Sequence, residues 1–134
     1  MSKVRVAVIG AAGYSGEELV KTLCRHPQVQ VTYVSGKEER QVTIADLFPY
    51  LRGTLELPCK AFDFEEAVAA ADIFFLCLPH TASMQVVPAL LTAKKLVVDL
   101  SADYRLKDIA VYEQFYKTPH GDPDNLSTAI YGLP

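Results

Sequence analysis

The feature that most constrains this chain is an apolar run that ends in a glycine-rich turn and leads directly into an amphipathic segment. Val4-Arg-Val-Ala-Val-Ile9 is β-branched and closes on Gly10, the pattern of a strand buried on both faces. From Tyr14 to Arg25 the residues Leu19, Val20, Leu23 and Cys24 recur at helical spacing opposite Glu17, Glu18 and Lys21, and His26-Pro27 supplies a stop. Gly10, Gly13 and Gly16 therefore lie at a strand-to-helix junction, the context that gives a glycine triplet meaning. In such a junction Gly10 permits the tight exit from the strand. Gly13 lets backbone approach a pyrophosphate, and Gly16 lets the helix pack close to the sheet. The bare helix N-terminus then offers N–H groups to phosphates, so Gly10, Ala12, Gly13, Tyr14, Ser15 and Gly16 form the candidate dinucleotide cradle.

The rest of the chain continues the alternation. Gln30–Val34 reads as a second strand, and Phe64–Ala71 as a short helix with glutamates in its first turn. Ile73–Leu78 is the most apolar segment and is expected to be a central strand ended by Pro79. Thr81–Ala93 is helical in pattern, with Pro88 expected to kink or split it, and Lys95–Leu100 reads as a further strand. Alternation at this spacing predicts an α/β class: a doubly wound, mostly parallel sheet of Rossmann type with helices on both faces. Residues 37–57 are less legible. Asp46–Leu51 suits a helical turn or an irregular segment, and Leu55–Lys60 a short strand placed near an edge by Pro58. Beyond Ser101 a helix over Asp108–Lys117, a loop over His120–Asn125 and a last strand over Ser127–Pro134 are expected.

Composition narrows the function. At 134 residues, half of them hydrophobic, the chain suits one domain, residues 1–134. A net charge of -3 with scattered lysines and arginines gives no basic stripe for nucleic acid. No apolar run approaches the roughly 18 residues of a membrane span, and the N-terminal run is too short for a signal peptide, so a cytoplasmic location is expected. Cys24, Cys59 and Cys77 have neither C-x-x-C spacing nor an even count, which indicates no disulfide framework and no metal site.

NAD-specific sites place a carboxylate about twenty positions after the glycine loop, at the end of the second strand. Here that place is Val34-Ser35-Gly36-Lys37. Ser35, Lys37 and Arg40 offer a hydroxyl and two cations, which suit a 2'-phosphate and point to NADP. The alternative is that Lys37 and Arg40 are solvated loop charges balanced by Glu38 and Glu39.

Four segments together carry a family likeness: Gly10-Ala-Ala-Gly-Tyr-Ser-Gly16, Leu78-Pro-His80, Asp99-Leu-Ser-Ala-Asp-Tyr-Arg105 and Tyr131-Gly-Leu-Pro134. The chain closely resembles the N-acetyl-gamma-glutamyl-phosphate reductases of arginine biosynthesis, with the aspartate-semialdehyde dehydrogenases as wider relatives. The resemblance implies NADPH-dependent reduction of an acyl phosphate to an aldehyde through a thioester on a cysteine. In the family that cysteine follows the Tyr-Gly-Leu-Pro segment. A catalytic and dimerisation domain is therefore expected after residue 134, and a homo-oligomer is expected of the full-length parent.

The resemblance also implies that Leu78, Pro79 and His80 lie against the dinucleotide. An ordinary surface or capping role for His80 remains open. Ser101 follows a strand's carboxyl end and is expected to face cofactor or substrate. Arg105 is the candidate for gripping the substrate's phosphate or carboxylate, and an ion pair with Asp103 or Asp108 is its alternative. No residue of the segment is assigned as catalytic: the three cysteines read as small hydrophobes. An aspartate-semialdehyde dehydrogenase domain and a stand-alone NADP-binding module are the competing functional readings.

Overall fold

A computed structural model describes residues 2–37 and 41–132. Strands β1 (Val4–Ile9), β2 (Val29–Ser35), β3 (Cys59–Lys60), β4 (Ile73–Leu76) and β5 (Leu96–Asp99) form one sheet in the order β3-β2-β1-β4-β5, and every pairing is parallel. The order reverses at β1, so the crevice between the β1 and β4 loops lies at the switch point of the sheet.

Period-two alternation in β1 divides the core. Val6 and Val8 pack on one face with Val20 and Leu23 of helix α1 (Tyr14–Cys24) and with Ile44 and Ala45 of α2 (Ile44–Leu47). Ala7 and Ile9 pack on the other face with Ala67 of α3 (Phe64–Ala70) and with Val87 and Leu90 of α4 (Ser83–Thr92). Both faces of the central strand are covered, as in buried parallel sheets.

Several boundaries differ from the sequence reading. The difficult stretch before β3 holds α2, whose N-terminus is closed by a reciprocal box. Thr43 Oγ1 accepts from Asp46 N–H, and the Asp46 carboxylate accepts from Thr43 N–H. A single 3-10 turn over Pro49–Leu51 follows. The expected strand over 55–60 shrinks to Cys59–Lys60 at the sheet edge, with Pro58 in an isolated antiparallel bridge to Thr43. Pro88 does not split α4, because Met84, Val87 and Leu90 bury that face and outweigh one lost backbone bond.

The C-terminal expectations need most revision. Helix α5 spans Ile109–Tyr116, inside the expected range. The expected loop over 120–125 contains helix α6 (Pro123–Leu126), started by a proline in its first turn. The expected strand over 127–134 is absent from its described part, residues 127–132. β propensity there is not matched by a ladder partner, and β5 remains an edge strand with Leu96 and Val98 exposed at 58% and 39%.

Hydroxyl-to-carboxylate bonds fasten α5 and the start of α6 to the loop after β5. Tyr112 of α5 donates to Asp103 at 2.9 Å, and Tyr104 donates to Asp122 at 2.7 Å, beside the start of α6. Burial first, and the carboxylate partner second, push both phenols well above the ordinary tyrosine value. A raised folded-state pKa gives stability that is complete below the unfolded value, about 10, and lost as pH rises through the folded one. Alkaline titration followed by phenolate absorbance should therefore leave Tyr104 and Tyr112 protonated beyond pH of about 10, with their ionisation coinciding with unfolding.

Helix α1 sits against the end of β1 with no room for a side chain. A Cβ on Gly16 would fall 2.7 Å from Ala11 Cα and 2.9 Å from Ala11 C, and would strike the Gly10 carbonyl. All three obstacles are backbone. Gly16→Ala should destabilise the protein by about 3 kcal/mol, measured as a lower denaturant midpoint with an unchanged slope.

Candidate functional site

Gly10 leaves β1 at φ +87, and a Cβ there would strike the Cys77 carbonyl at the end of β4. Only glycine meets both demands. Gly10 N–H and Ala11 N–H then donate to the Ser35 carbonyl at 3.2 and 2.7 Å, which ties the turn to β2. Gly13 differs from the other two glycines. It is the N-cap of α1 in extended conformation, no side chain caps the helix, and a Cβ there would meet only the Gly10 carbonyl at 3.9 Å. Ala12, Gly13, Tyr14 and Ser15 are exposed around it. The first intrahelical bond to this cap is Glu17 N–H to Gly13 O at 2.9 Å, so the amides of Tyr14, Ser15 and Gly16 precede the helical ladder. The positions that need glycine for packing are thus 10 and 16, while the space above Gly13 is open to a ligand.

The end of β2 comes against this loop: a Cβ on Gly36 would lie 3.3 Å from Ala12 Cβ. Ser35 is only 2% exposed, and its Oγ accepts from Gly10 N–H at 3.3 Å, so part of its capacity holds the turn. Lys37 is exposed at the strand exit. Arg40, the other cation of the sequence argument, lies outside the described residues.

β4 ends at Leu76, two residues earlier than its composition suggests. Cys77 therefore lies in the loop instead of inside the strand. Burial pushes its thiol up, opposed in part by the Ser15 hydroxyl, which keeps Cys77 unsuited to act as a nucleophile. Leu78, half-buried, faces the glycine turn, and Pro79 and His80 are exposed. The His80 ring lies 5.1 Å from that of Tyr116. Thr81 next turns into the left-handed region at φ 74, unusual for a β-branched residue, so α4 begins at Ser83.

After β5 the polar side chains of Asp99, Ser101 and Asp103 are tied inward by hydrogen bonds. The Asp99 carboxylate accepts from Ser83 Oγ, Ser101 N–H and Ser101 Oγ at 2.8–3.0 Å. Ser101 Oγ accepts from Asp103 N–H at 3.2 Å. Asp103 is fully buried and accepts from Thr81 N–H, Met84 N–H and Tyr112 Oη. His120 Nδ1 accepts from Asp122 N–H, which leaves Nε2–H to donate to the Asp103 carbonyl. Sequence position gives His120 no role, and offers the Asp103 side chain only as an ion-pair partner for Arg105. The legible signal was the Asp-x-Ser-x-Asp spacing directly after a strand.

Arg105 is exposed. Its Nη2 donates to the Leu100 carbonyl at 2.9 Å, and among the described residues it makes no ion pair with Asp103 or Asp108. It borders a groove of about 1170 Å³ that also reaches Ser15, Asp99, Ser101, Tyr104 and Asn125, and that runs along the exposed edge of β5. Cradle, β4 loop and Asp99–Arg105 segment thus share the carboxyl edge of the sheet. No group of three or more metal-ligating side chains occurs among the described residues, and no helix there is long and apolar enough to cross a membrane.

The comparisons with known proteins agree with this geometry. The chain is 47% identical over 131 residues to an N-acetyl-gamma-glutamyl-phosphate reductase of Desulfotalea psychrophila and 46% identical to one of Geobacter sulfurreducens, alignments that cover 98% of this chain. The chain spans about 38% of the length of these curated relatives. Among solved structures, an aspartate semialdehyde dehydrogenase with NADP from Candida albicans superposes with a TM-score of 0.67 over 81% of this chain and 32% of that one, at 17% identity, a likeness of fold. The family model described as semialdehyde dehydrogenase, NAD binding domain matches residues 5–134. The chain belongs to that family, and its glycine turn and five-stranded parallel sheet fit it.

Proposed function

We propose that this chain is the NADP-binding part of an NADPH-dependent reductase that converts N-acetyl-glutamyl 5-phosphate to N-acetyl-glutamate 5-semialdehyde. The observation that carries the cofactor assignment is the cradle at Gly13. An uncapped helix N-terminus whose first amides precede the ladder lies beneath a glycine that packing does not require. The substrate assignment is supported by relatives of that name at up to 47% identity, against 17% for the aspartate semialdehyde dehydrogenase that shares the fold.

When bound, NADPH supplies the hydride that reduces the acyl group, which a cysteine outside this chain would carry as a thioester. The chain's own residues bind and orient. Ala12, Gly13, Tyr14, Ser15 and Gly16 hold the pyrophosphate by backbone, and Gly10, whose amide is engaged by Ser35, shapes the turn beneath it. Ser101 borders the reaction side, and Leu78, Pro79 and His80 wall the cofactor crevice. Lys37 and Arg40 take the 2'-phosphate. Ser35 supports them from behind by fixing the turn, since its Oγ is engaged with Gly10 N–H. Arg105 binds the anionic end of the acyl phosphate, because its guanidinium is exposed at the groove and unpaired with a carboxylate among the described residues. The setting is a soluble cytoplasmic enzyme that assembles as a homo-oligomer and has no nucleic-acid partner.

Two measurements test this reading. Fluorescence titration should give NADPH at least about tenfold tighter binding than NADH, the value of one charged contact to the 2'-phosphate. Lys37→Ala should narrow that gap, and equal affinities would remove the 2'-phosphate assignment. Gly13→Ala should cost no more than about 1 kcal/mol of stability, since its Cβ meets nothing closer than 3.9 Å, yet it should abolish measurable nucleotide binding. Retained binding in that variant would displace the pyrophosphate from the cradle.

A further inference from the structure

We infer that Asp103 is a positioning residue for the cofactor-facing loop, acting through Thr81. The inference rests on the dinucleotide reading above and adds a side chain that lies behind the crevice. Helix α4 has no cap of its own, because Ala82, at its N-cap, has no side-chain acceptor. Asp103, distant in sequence, fills that role from the loop after β5. Its Oδ1 accepts from Thr81 N–H at 2.9 Å and its Oδ2 from Met84 N–H at 3.3 Å, so one carboxylate spans the turn that starts the helix.

The bond to Thr81 is the informative one. A β-branched residue at φ 74 is held against its own preference, and such outliers persist where surroundings over-determine them. The carboxylate is fully buried, and no salt bridge involves it among the described residues. Amide and phenol hydrogens and the positive end of α4 balance its charge instead. Thr81 directly follows Leu78-Pro79-His80, and Leu78 and the Cys77 carbonyl press on the Gly10 turn. Fixing Thr81 therefore fixes the wall of the crevice. The same carboxylate holds Tyr112 of α5, and its residue's carbonyl receives His120 Nε2–H. Asp103 thus joins the loops after β4 and β5 into one unit.

An asparagine at 103 keeps the shape but turns an NH2 group toward one of the two amide donors. Asp103→Asn should weaken NADPH binding about tenfold, the loss of one hydrogen bond to a charged group. Adenosine 2',5'-bisphosphate, which reaches only the adenine end, should bind with unchanged affinity. A merely structural role would weaken both ligands together, and that result would overturn the inference, as would unchanged NADPH binding. Tyr112→Phe keeps the packing and removes one donor from the same carboxylate, so it should shift NADPH alone by about threefold. That variant decides the matter if Asp103→Asn fails to fold. If the unsubstituted protein bound neither nucleotide, the dinucleotide reading itself would fall, and this inference with it.

Discussion

Backbone-on-backbone contact at the end of β1 is the constraint on which the rest of the structure depends. The Gly10 carbonyl lies where a Gly16 Cβ would be, and the Cys77 carbonyl lies where a Gly10 Cβ would be. Three chain segments therefore meet without side chains between them, and Ser35 closes the fourth side by accepting the Gly10 and Ala11 amides. Because β1 is central in the sheet, this single contact sets the spacing of α1, β2 and β4 at their carboxyl ends. The opening above Gly13 follows from that spacing: α1 begins flush with the sheet edge, and its first amides face outward.

A second layer of order comes from polar groups. Asp99 and Asp103 are carboxylates satisfied by neutral donors, from Ser83 and Ser101 in one case and from Thr81, Met84 and Tyr112 in the other. Unsatisfied burial of either would be costly, and no buried side-chain polar atom among the described residues lacks a partner. The network replaces the apolar packing that a loop region cannot supply, and it makes the carboxyl-edge loops rigid enough to present a shaped crevice.

The alternating strands and helices were legible in the sequence because their signals are local. A buried strand, a glycine turn and an amphipathic helix each show in a window of a few residues, and β1, α1, β2 and α4 lie within a residue or two of their expected places. The glycine turn between β1 and α1 was legible for the same reason. The loops at the carboxyl edge and the C-terminal segment were harder because their determinants are distant in sequence. Ser127–Gly132 has strand-like composition, yet nothing local shows that no ladder forms along β5. Thr81 gives no hint of a positive φ, since the carboxylate that accepts its amide hydrogen stands at position 103. His120 looked like a loop residue for the same reason, its partners being a carbonyl at 103 and an amide at 122.

The fate of Arg105 follows from that network. An internal pair with Asp103 would have neutralised a buried charge, the obvious alternative for an Asp-x-Arg sequence. Instead, Asp99, Ser101 and Asp103 bond inward, and the turn closed by Arg105 N–H on the Ala102 carbonyl at 3.2 Å breaks that pattern and leaves Arg105 exposed. Because neutral donors already satisfy Asp103, pairing would gain little and would require desolvating a guanidinium. Only one of its five N–H donors is engaged within the described residues, by the Leu100 carbonyl, and the side chain lines the groove. A buried carboxylate satisfied without a cation is thus what leaves the segment's one cation available to an anion from solution.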